Sequence, residues 1–212
     1  MHCINDCLFP PTHTNFNHHP MRTLYTLALL LLAPMAYGQG TQTKISAEEL
    51  QLYNMLMDYR ASKGLAPIPL SNALTLVART HCRDLAINQP DLNANCNSHS
   101  WSSQGNWTSC CYTRDHQQAS CMWNKPRELT SYTGDGFEIA VGSSDPKYNG
   151  YTMTARYAMD SWKGSFHHNN VIINEDMWKN TQWNAIGVGI YQGFATVWFG
   201  KEVDAEGAPE RE

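Results

Sequence analysis

The stretch from Trp183 to Gly200 leaves few ways to fold. Ile186-Gly187-Val188-Gly189-Ile190 and Ala195 to Phe199 are two short apolar runs, and the dipeptide between them that favours a turn is Gln192-Gly193. Runs of that length, rich in β-branched and aromatic residues and joined by so short a link, predict a β-hairpin. Just upstream, Ala155, Met159 and Trp162 recur at helical spacing and predict a short helix ending at Gly164, a residue suited to a helix C-terminus. His168 then falls on a predicted loop between helix and hairpin, where a rigid scaffold can aim a side chain.

The first half of the chain reads as helical. Ser46 and Glu49 have the spacing of a capping box, in which each side chain satisfies a backbone N–H at the start of a helix. Leu50, Tyr53 and Met57 then share one face, with Leu52, Leu56 and Tyr59 beside them, and Gly64-Leu65 predicts a Schellman ending. Pro67 and Pro69 enforce an extended connector. Ser71 caps a second helix whose apolar stripe is Leu74, Val77, Ala78, His81 and Leu85, stopping near Asn88 and Pro90. On that stripe His81 reads as a hydrogen-bonded core residue and not as a ligand. Further on, Phe137 to Val141 is an apolar segment interrupted by one carboxylate, Glu138, which there must find a partner or shift its pKa.

Between Asp91 and Thr133 helical periodicity disappears. A structureless loop of that length is rare in a compact domain unless staples or function account for it. This one carries Cys96, Cys110, Cys111 and Cys121; with Cys82, five cysteines follow residue 38. The number is odd, so one is free or pairs between chains, which leaves the oligomeric state open. The adjacent Cys110 and Cys111 are each expected to pair elsewhere, and the connectivity is open. No C-x-x-C pair favours a cysteine zinc site. Trp101, Trp107 and Trp123 in this loop read either as a ligand rim or as cover for the core, whereas Trp162, Trp183 and Trp198 read as core. Asn106-Trp107-Thr108 is a glycosylation sequon, meaningful only in a eukaryotic secretory pathway.

Met21-Arg22-Thr23, the apolar run Leu24 to Leu32 and the small residues ending at Gly38 predict a secretory signal peptide over residues 21–38. The apolar run is too short to span a bilayer. Residues 1–20 read as an upstream extension or a mis-assigned start, with translation beginning at Met21. The expectation is a protein secreted to the extracellular space, or to the periplasm in a bacterium, with disulfides as the default state of its cysteines. Removing residues 1–38 takes away Arg22 and Asp6 together, so the net charge stays at −4. The absence of a basic patch argues against a nucleic-acid partner. The acidic tail, residues 201–212, is expected to be solvated and disordered.

Trp162-x-x-Ser165-x-x-His168-x-x-x-Ile172, followed by Ile186-Gly187-Val188-Gly189 and Trp198-Phe199-Gly200, resembles the C-terminal half of a CAP domain. That superfamily includes cysteine-rich secretory proteins, venom antigens and plant pathogenesis-related proteins. Leu70-x-x-x-Leu74-x-x-x-Ala78-x-x-His81 is similar to its helical first half, and the resemblance runs from about residue 45 to residue 200. It implies an α+β fold, a three-layer α-β-α sandwich with a small, mainly antiparallel central sheet over residues 45–200. It also implies a central cleft holding two His and two acidic residues. His99, in Asn97-Ser98-His99-Ser100, matches the first His and His168 the second. Glu138 stands in for the Glu of a Gly-Glu-Asn motif, offset by one residue, and Ser165 stands where the family has its second acid.

Two neutral imidazoles suit Zn2+, so His99 and His168 are the candidate metal ligands, with Glu138 completing the shell or standing behind it. The resemblance implies a binding or effector role, with a lipid or sterol, or an extracellular or cell-surface protein, as partner. A metal-dependent hydrolase using His99, Glu138 and His168 is the alternative enzyme reading, although no H-E-x-x-H motif is present. A structural or adhesion module linked through the odd cysteine is a third. Ser165 lacks the Gly-x-Ser-x-Gly setting of a nucleophile and reads as a hydrogen-bonding or capping residue, while the neighbouring His167 reads as surface.

Overall fold

The computed structural model describes residues 43–212; the predicted signal peptide and the extension before it lie outside them. Three strands form the central sheet: β2 (Gly136–Val141), β3 (Ala185–Tyr191) and β4 (Phe194–Gly200). β4 lies in the middle and pairs antiparallel with both neighbours. The predicted hairpin is β3–β4, closed by Gln192-Gly193 with Gln192 in the left-handed region at φ 49°.

Strand alternation sends the two faces of this sheet to two different cores. Ile139, Ile186, Val188, Ala195, Val197 and Phe199 point one way and pack with α1 (Ala47–Ser62) and α5 (Ala155–Lys163). Trp198 points the other way, toward α2 (Asn72–Asn88). The result is the α-β-α sandwich that the sequence resemblance implies.

Contact between α2 and the sheet is made at glycines. A Cβ on Gly187 would lie 2.0 Å from the backbone carbon of Leu74, and one on Gly189 2.5 Å from that of Ala78. Helix and strand therefore touch backbone to backbone. Thr196 Oγ1 donates to the Ala78 carbonyl at 3.2 Å and seals the same seam. The predicted stripe of Leu74, Val77, Ala78, His81 and Leu85 is wholly buried.

The cap signals hold. Ser46 and Glu49 exchange their bonds at the start of α1, with Ser46 N donating to Glu49 Oε2 at 2.9 Å. At its end Gly64 takes φ 75°, Gly64 N donates to the Ala61 carbonyl and Leu65 N to the Arg60 carbonyl, which is the Schellman pattern. The inward face of α1 differs from the expected one. Glu49, Leu52, Leu56 and Arg60 are the buried set, and the Leu50-Tyr53-Met57 row packs only at its flank. Two of the four are charged, so a search for apolar periodicity selects the wrong row. Both are paired: Glu49 lies 3.1 Å from Arg79, and Arg60 donates to the Ile172 carbonyl and Asn174 at 2.6 Å each.

Three further expectations are corrected. The segment after Lys201 is folded: Asp204 accepts from Ser71 Oγ at 2.6 Å and from Ala73 N at 2.9 Å, capping α2, and β5 (Glu210–Arg211) pairs in parallel with β1 (Lys44–Ile45). Acidic composition suggested solvation, yet the Asp204 carboxylate answers a backbone N–H at a helix N-terminus. The cysteine-bearing loop contains two short helices, α3 (Ala119–Trp123) and α4 (Lys125–Leu129), each too brief to show a period. His168 lies on a helix as well, α6 (Phe166–Ile172), which starts directly after Gly164 and Ser165.

The disulfides are Cys96–Cys111 and Cys110–Cys121, so the adjacent pair does look in different directions. Among the described residues Cys82 is the free thiol and is fully buried, its Sγ lying 3.3 Å from the Gly189 carbonyl. A thiol enclosed in that way is not placed to link one chain to another.

Candidate functional site

Row by row across the sheet, Glu138 lies opposite Trp198, and Trp198 opposite Gly187. All three share the face that looks at α2. Because Gly187 and Gly189 let the helix sink onto β3, His81 reaches across the edge of Trp198, with ring centroids 6.2 Å apart, to the carboxylate of Glu138. His81 Nδ1 lies 2.5 Å from Glu138 Oε1, and His99 Nδ1 lies 2.8 Å from Oε2. Glu138 thus ties a helix to a loop, and its side chain has no exposed surface.

The hydrogen-bond directions fix the protons in this group. His81 Nε2 lies 2.9 Å from the Ser100 carbonyl, which can only accept, so Nε2 carries hydrogen. The His81–Glu138 contact then needs a second proton, held between Nδ1 and Oε1. The His99–Glu138 contact needs a third, and Oε2 is the acceptor. One proton more than two neutral imidazoles and a carboxylate supply by themselves is therefore built in, and the three groups together are neutral. Trp101 stacks face to face on His81 at 4.2 Å and 5°, which fixes the plane of the imidazole. Burial alone would raise the Glu138 carboxyl, but the charge and hydrogen bonds of His81, and then of His99, hold it below its ordinary 4.5.

The loop that carries His99 is built to hold it. Asn97 Oδ1 accepts from His99 N at 3.0 Å, and Ser100 Oγ accepts from Asn97 N and from Tyr112 N. Trp101 exchanges backbone bonds with Cys110, and the two disulfides brace that pairing on either side. Trp101 is 2% exposed, with Trp107 edge-on to it at 5.2 Å. Trp123 packs against Phe137 at 5.7 Å. These loop tryptophans therefore cover the core and do not form a ligand rim. Trp162, Trp183 and Trp198 are buried, as expected of core residues.

His168 comes from the opposite side of the molecule's layers. α6 is tied to α1 by Tyr59, whose hydroxyl donates to Asn169 Oδ1 at 2.9 Å, and by Arg60 at the helix end. His168 is half-buried. It interacts electrostatically with His99 and Glu138, so the three predicted residues are within reach of one another's charge. Burial first, then the imidazoles of His99 and His167, hold His168 down to about 4, so it is a neutral base at physiological pH. His167 is exposed, as expected. Ser165 occupies the N-cap position of α6, but its hydroxyl makes no capping bond there, contrary to expectation.

A pH dependence follows. Folded His168 is unprotonated above about 4, whereas the unfolded chain takes up that proton below 6.5. Between those values the unfolded state binds more protons, so stability falls as pH falls. Glu138, held below 4.5, adds a second loss under that pH. Thermal melts of metal-free protein should show the melting temperature dropping from pH 6.5 toward pH 4, with a shallower drop over that span in His168→Gln. Equal slopes in the two proteins would refute the assignment.

Glu138 spends both oxygens on imidazoles, so among the described residues no group of three His, Cys, Asp or Glu is placed to hold a metal. No hydrogen bond among the described residues engages Nε2 of His99, whose Nδ1 donates to Glu138, or the neutral ring of His168. That is a carboxylate–histidine arrangement of the kind that orients a metal-binding imidazole and raises its basicity. Sequence reasoning placed His81 in the core but missed its link to Glu138; a polar residue on an otherwise apolar helix stripe was the signal.

No family model matches the chain, and no curated protein does. Similar solved structures include an outer surface protein from Borrelia burgdorferi, at 16% identity and TM-score 0.48, covering 76% of this chain and 98% of that one. An extracellular protein containing a SCP domain from Bacillus anthracis is similar at 17% identity and TM-score 0.49, over 73% of this chain and 40% of that one. A cysteine-rich secretory protein from Staphylococcus aureus is similar at 13% identity and TM-score 0.43, over 73% of this chain and 38% of its own. The chain thus spans about two-fifths of the length of the last two.

Proposed function

We propose that this chain is a secreted binding domain of the CAP type, and that its cleft takes a divalent cation such as zinc between His99 and His168. The observation that carries the reading is the hydrogen bond from His99 Nδ1 to the buried Glu138, which leaves Nε2 as the metal-binding nitrogen. His168, neutral at physiological pH, supplies a second nitrogen without first releasing a proton. A bound cation would act as a Lewis acid or as a bridge to a partner's oxygen. Two disulfides support an oxidising compartment. Among the described residues no helix is long and apolar enough to cross a membrane. An extracellular lipid, sterol or protein is the class of partner this reading carries.

A binding role is favoured over hydrolysis by the state of Glu138. A general base must reach the proton it removes. Both Glu138 oxygens are committed to His81 and His99, and the side chain is sealed from solvent.

Calorimetric titration of zinc into the full chain at neutral pH tests the metal. Binding is expected, weakened at least tenfold by His99→Ala or His168→Ala. Glu138→Gln should weaken it by about 10–100-fold, the usual cost of losing a supporting carboxylate. Zinc affinity unchanged in both histidine variants, or no binding at all, would overturn the proposal.

A further inference from the structure

Two adjoining hollows lie at the turn end of the β3–β4 hairpin. Neither is lined by His99, Glu138 or His168, so this is a different place from the cleft. They share Ser143, Tyr148, Tyr151 and Gly193. Tyr148, Tyr151 and Tyr157 form the aromatic part and are 52%, 41% and 49% exposed. Tyr151 and Tyr157 meet edge to face at 5.2 Å, and the Lys147 ammonium sits 4.9 Å over the Tyr148 ring. Three large rings standing half in water around one depression are an arrangement the fold itself does not need.

The chemistry of the remaining lining narrows the ligand. Gln89, Asn149, Thr152 and Gln192 line the second hollow, and no hydrogen bond within the described residues engages their side chains. No Asp, Glu, Lys, Arg or His lines either hollow. The Lys147 ammonium over Tyr148 is already paired with Asp145 at 3.1 Å, so a phosphate, a nucleic acid or an acidic peptide would meet no unpaired countercharge. The walls are also held in place. Met153 N donates to the Gln192 carbonyl at 2.7 Å, joining the tyrosine loop to the hairpin turn. Ser144 N donates to Asp91 at 2.9 Å, and Asp145 caps the short helical turn that presents Tyr148.

From these observations we propose that the hollows form a binding groove for a neutral oligosaccharide, with sugar rings lying on the tyrosines and sugar hydroxyls bonded to the carboxamides. A hydroxyl both donates and accepts, which matches an amide's NH2 and C=O together. A proline-rich peptide, the other ligand that favours tyrosine grooves, offers carbonyl acceptors with few donors and so would use only the NH2 side of Gln89, Asn149 and Gln192. Ring stacking combined with a few placed polar groups is a common way to fix a ligand's orientation in such a site.

The test is titration of the full chain with soluble neutral hexasaccharides of glucose and of N-acetylglucosamine, followed by quenching of intrinsic fluorescence and by calorimetry. One of these is expected to bind, with Tyr151→Ala and Tyr148→Ala each weakening it about tenfold, the size of one lost ring contact. Asn149→Ala should weaken it too, while Met177→Ala, an exposed side chain that lines neither hollow, should not. Each variant's thermal melt establishes that it folds. Failure of every saccharide to bind, binding indifferent to both tyrosine variants, or tyrosine-dependent binding of a proline decapeptide in place of the sugars would each overturn the proposal. None of those results bears on zinc at the cleft.

Discussion

Glu138→Ala should unfold this domain far more readily than Glu138→Gln, although both remove the same charge. In the alanine variant His81 Nδ1 loses its partner inside a sealed space, and the partly exposed His99 Nδ1 loses its own beside it. Removing one member of a buried ion pair typically costs about 3–5 kcal/mol. For a domain of this size that is a fall of about 10 °C in melting temperature. Glutamine fits differently. Its carbonyl oxygen accepts from His99, and its NH2 donates to a neutral His81, whose Nε2–H still faces the Ser100 carbonyl. Every bond survives with the bridging proton now covalently part of the amide, so the cost should stay near 1 kcal/mol. Denaturant melts of the two variants decide it. Similar losses in both would mean that the carboxylate's charge, and not the proton count, holds the group together.

The second large effect belongs to a residue with no side chain. Gly187→Ala would set a methyl group 2.0 Å from the backbone of Leu74 and 2.3 Å from Thr75 N. Backbone cannot swing aside as a flexible side chain can, so α2 would have to lift off the sheet. Over-packing usually costs about 1–3 kcal/mol, and this case should reach about 3 kcal/mol or more. Lifting α2 also draws His81 away from Glu138, so the damage should extend to the cleft. Gly64→Ala is the internal comparison. There φ is 75° but nothing lies within 4 Å, so only backbone strain of about 1 kcal/mol opposes the change. Equal stability losses at the two glycines would refute the seam described between α2 and β3.

What could be read in the sequence was whatever announces itself locally. The Ser46–Glu49 box, the Gly64-Leu65 ending, the α2 stripe and the Gln192-Gly193 turn each depend on a few neighbouring residues, and each appears where expected. Glu138 was singled out because a carboxylate within an apolar strand needs an answer; the answer, His81 and His99, lies 57 and 39 residues away. The misread features are those decided at long range. The inner row of α1 contains Glu49 and Arg60, whose partners Arg79 and Ile172 no local pattern can supply. α6 has seven residues, too few for a period to emerge between Gly164 and the polar bridge that follows. The loop tryptophans read as either rim or cover because Asn, Ser and Gly surround them in sequence, whereas in space Trp101 stacks on His81, Trp107 packs edge-on to Trp101 and Trp123 packs against Phe137.

The acidic last residues have a consequence for how the molecule comes into being. The carboxylate that answers the opening N–H groups of α2 belongs to Asp204, 133 positions beyond Ser71. A ribosome delivers that helix long before its closing anion. During synthesis Ser71 Oγ can cap Leu74 N at once, but Ala73 N goes unanswered until Asp204 has been made.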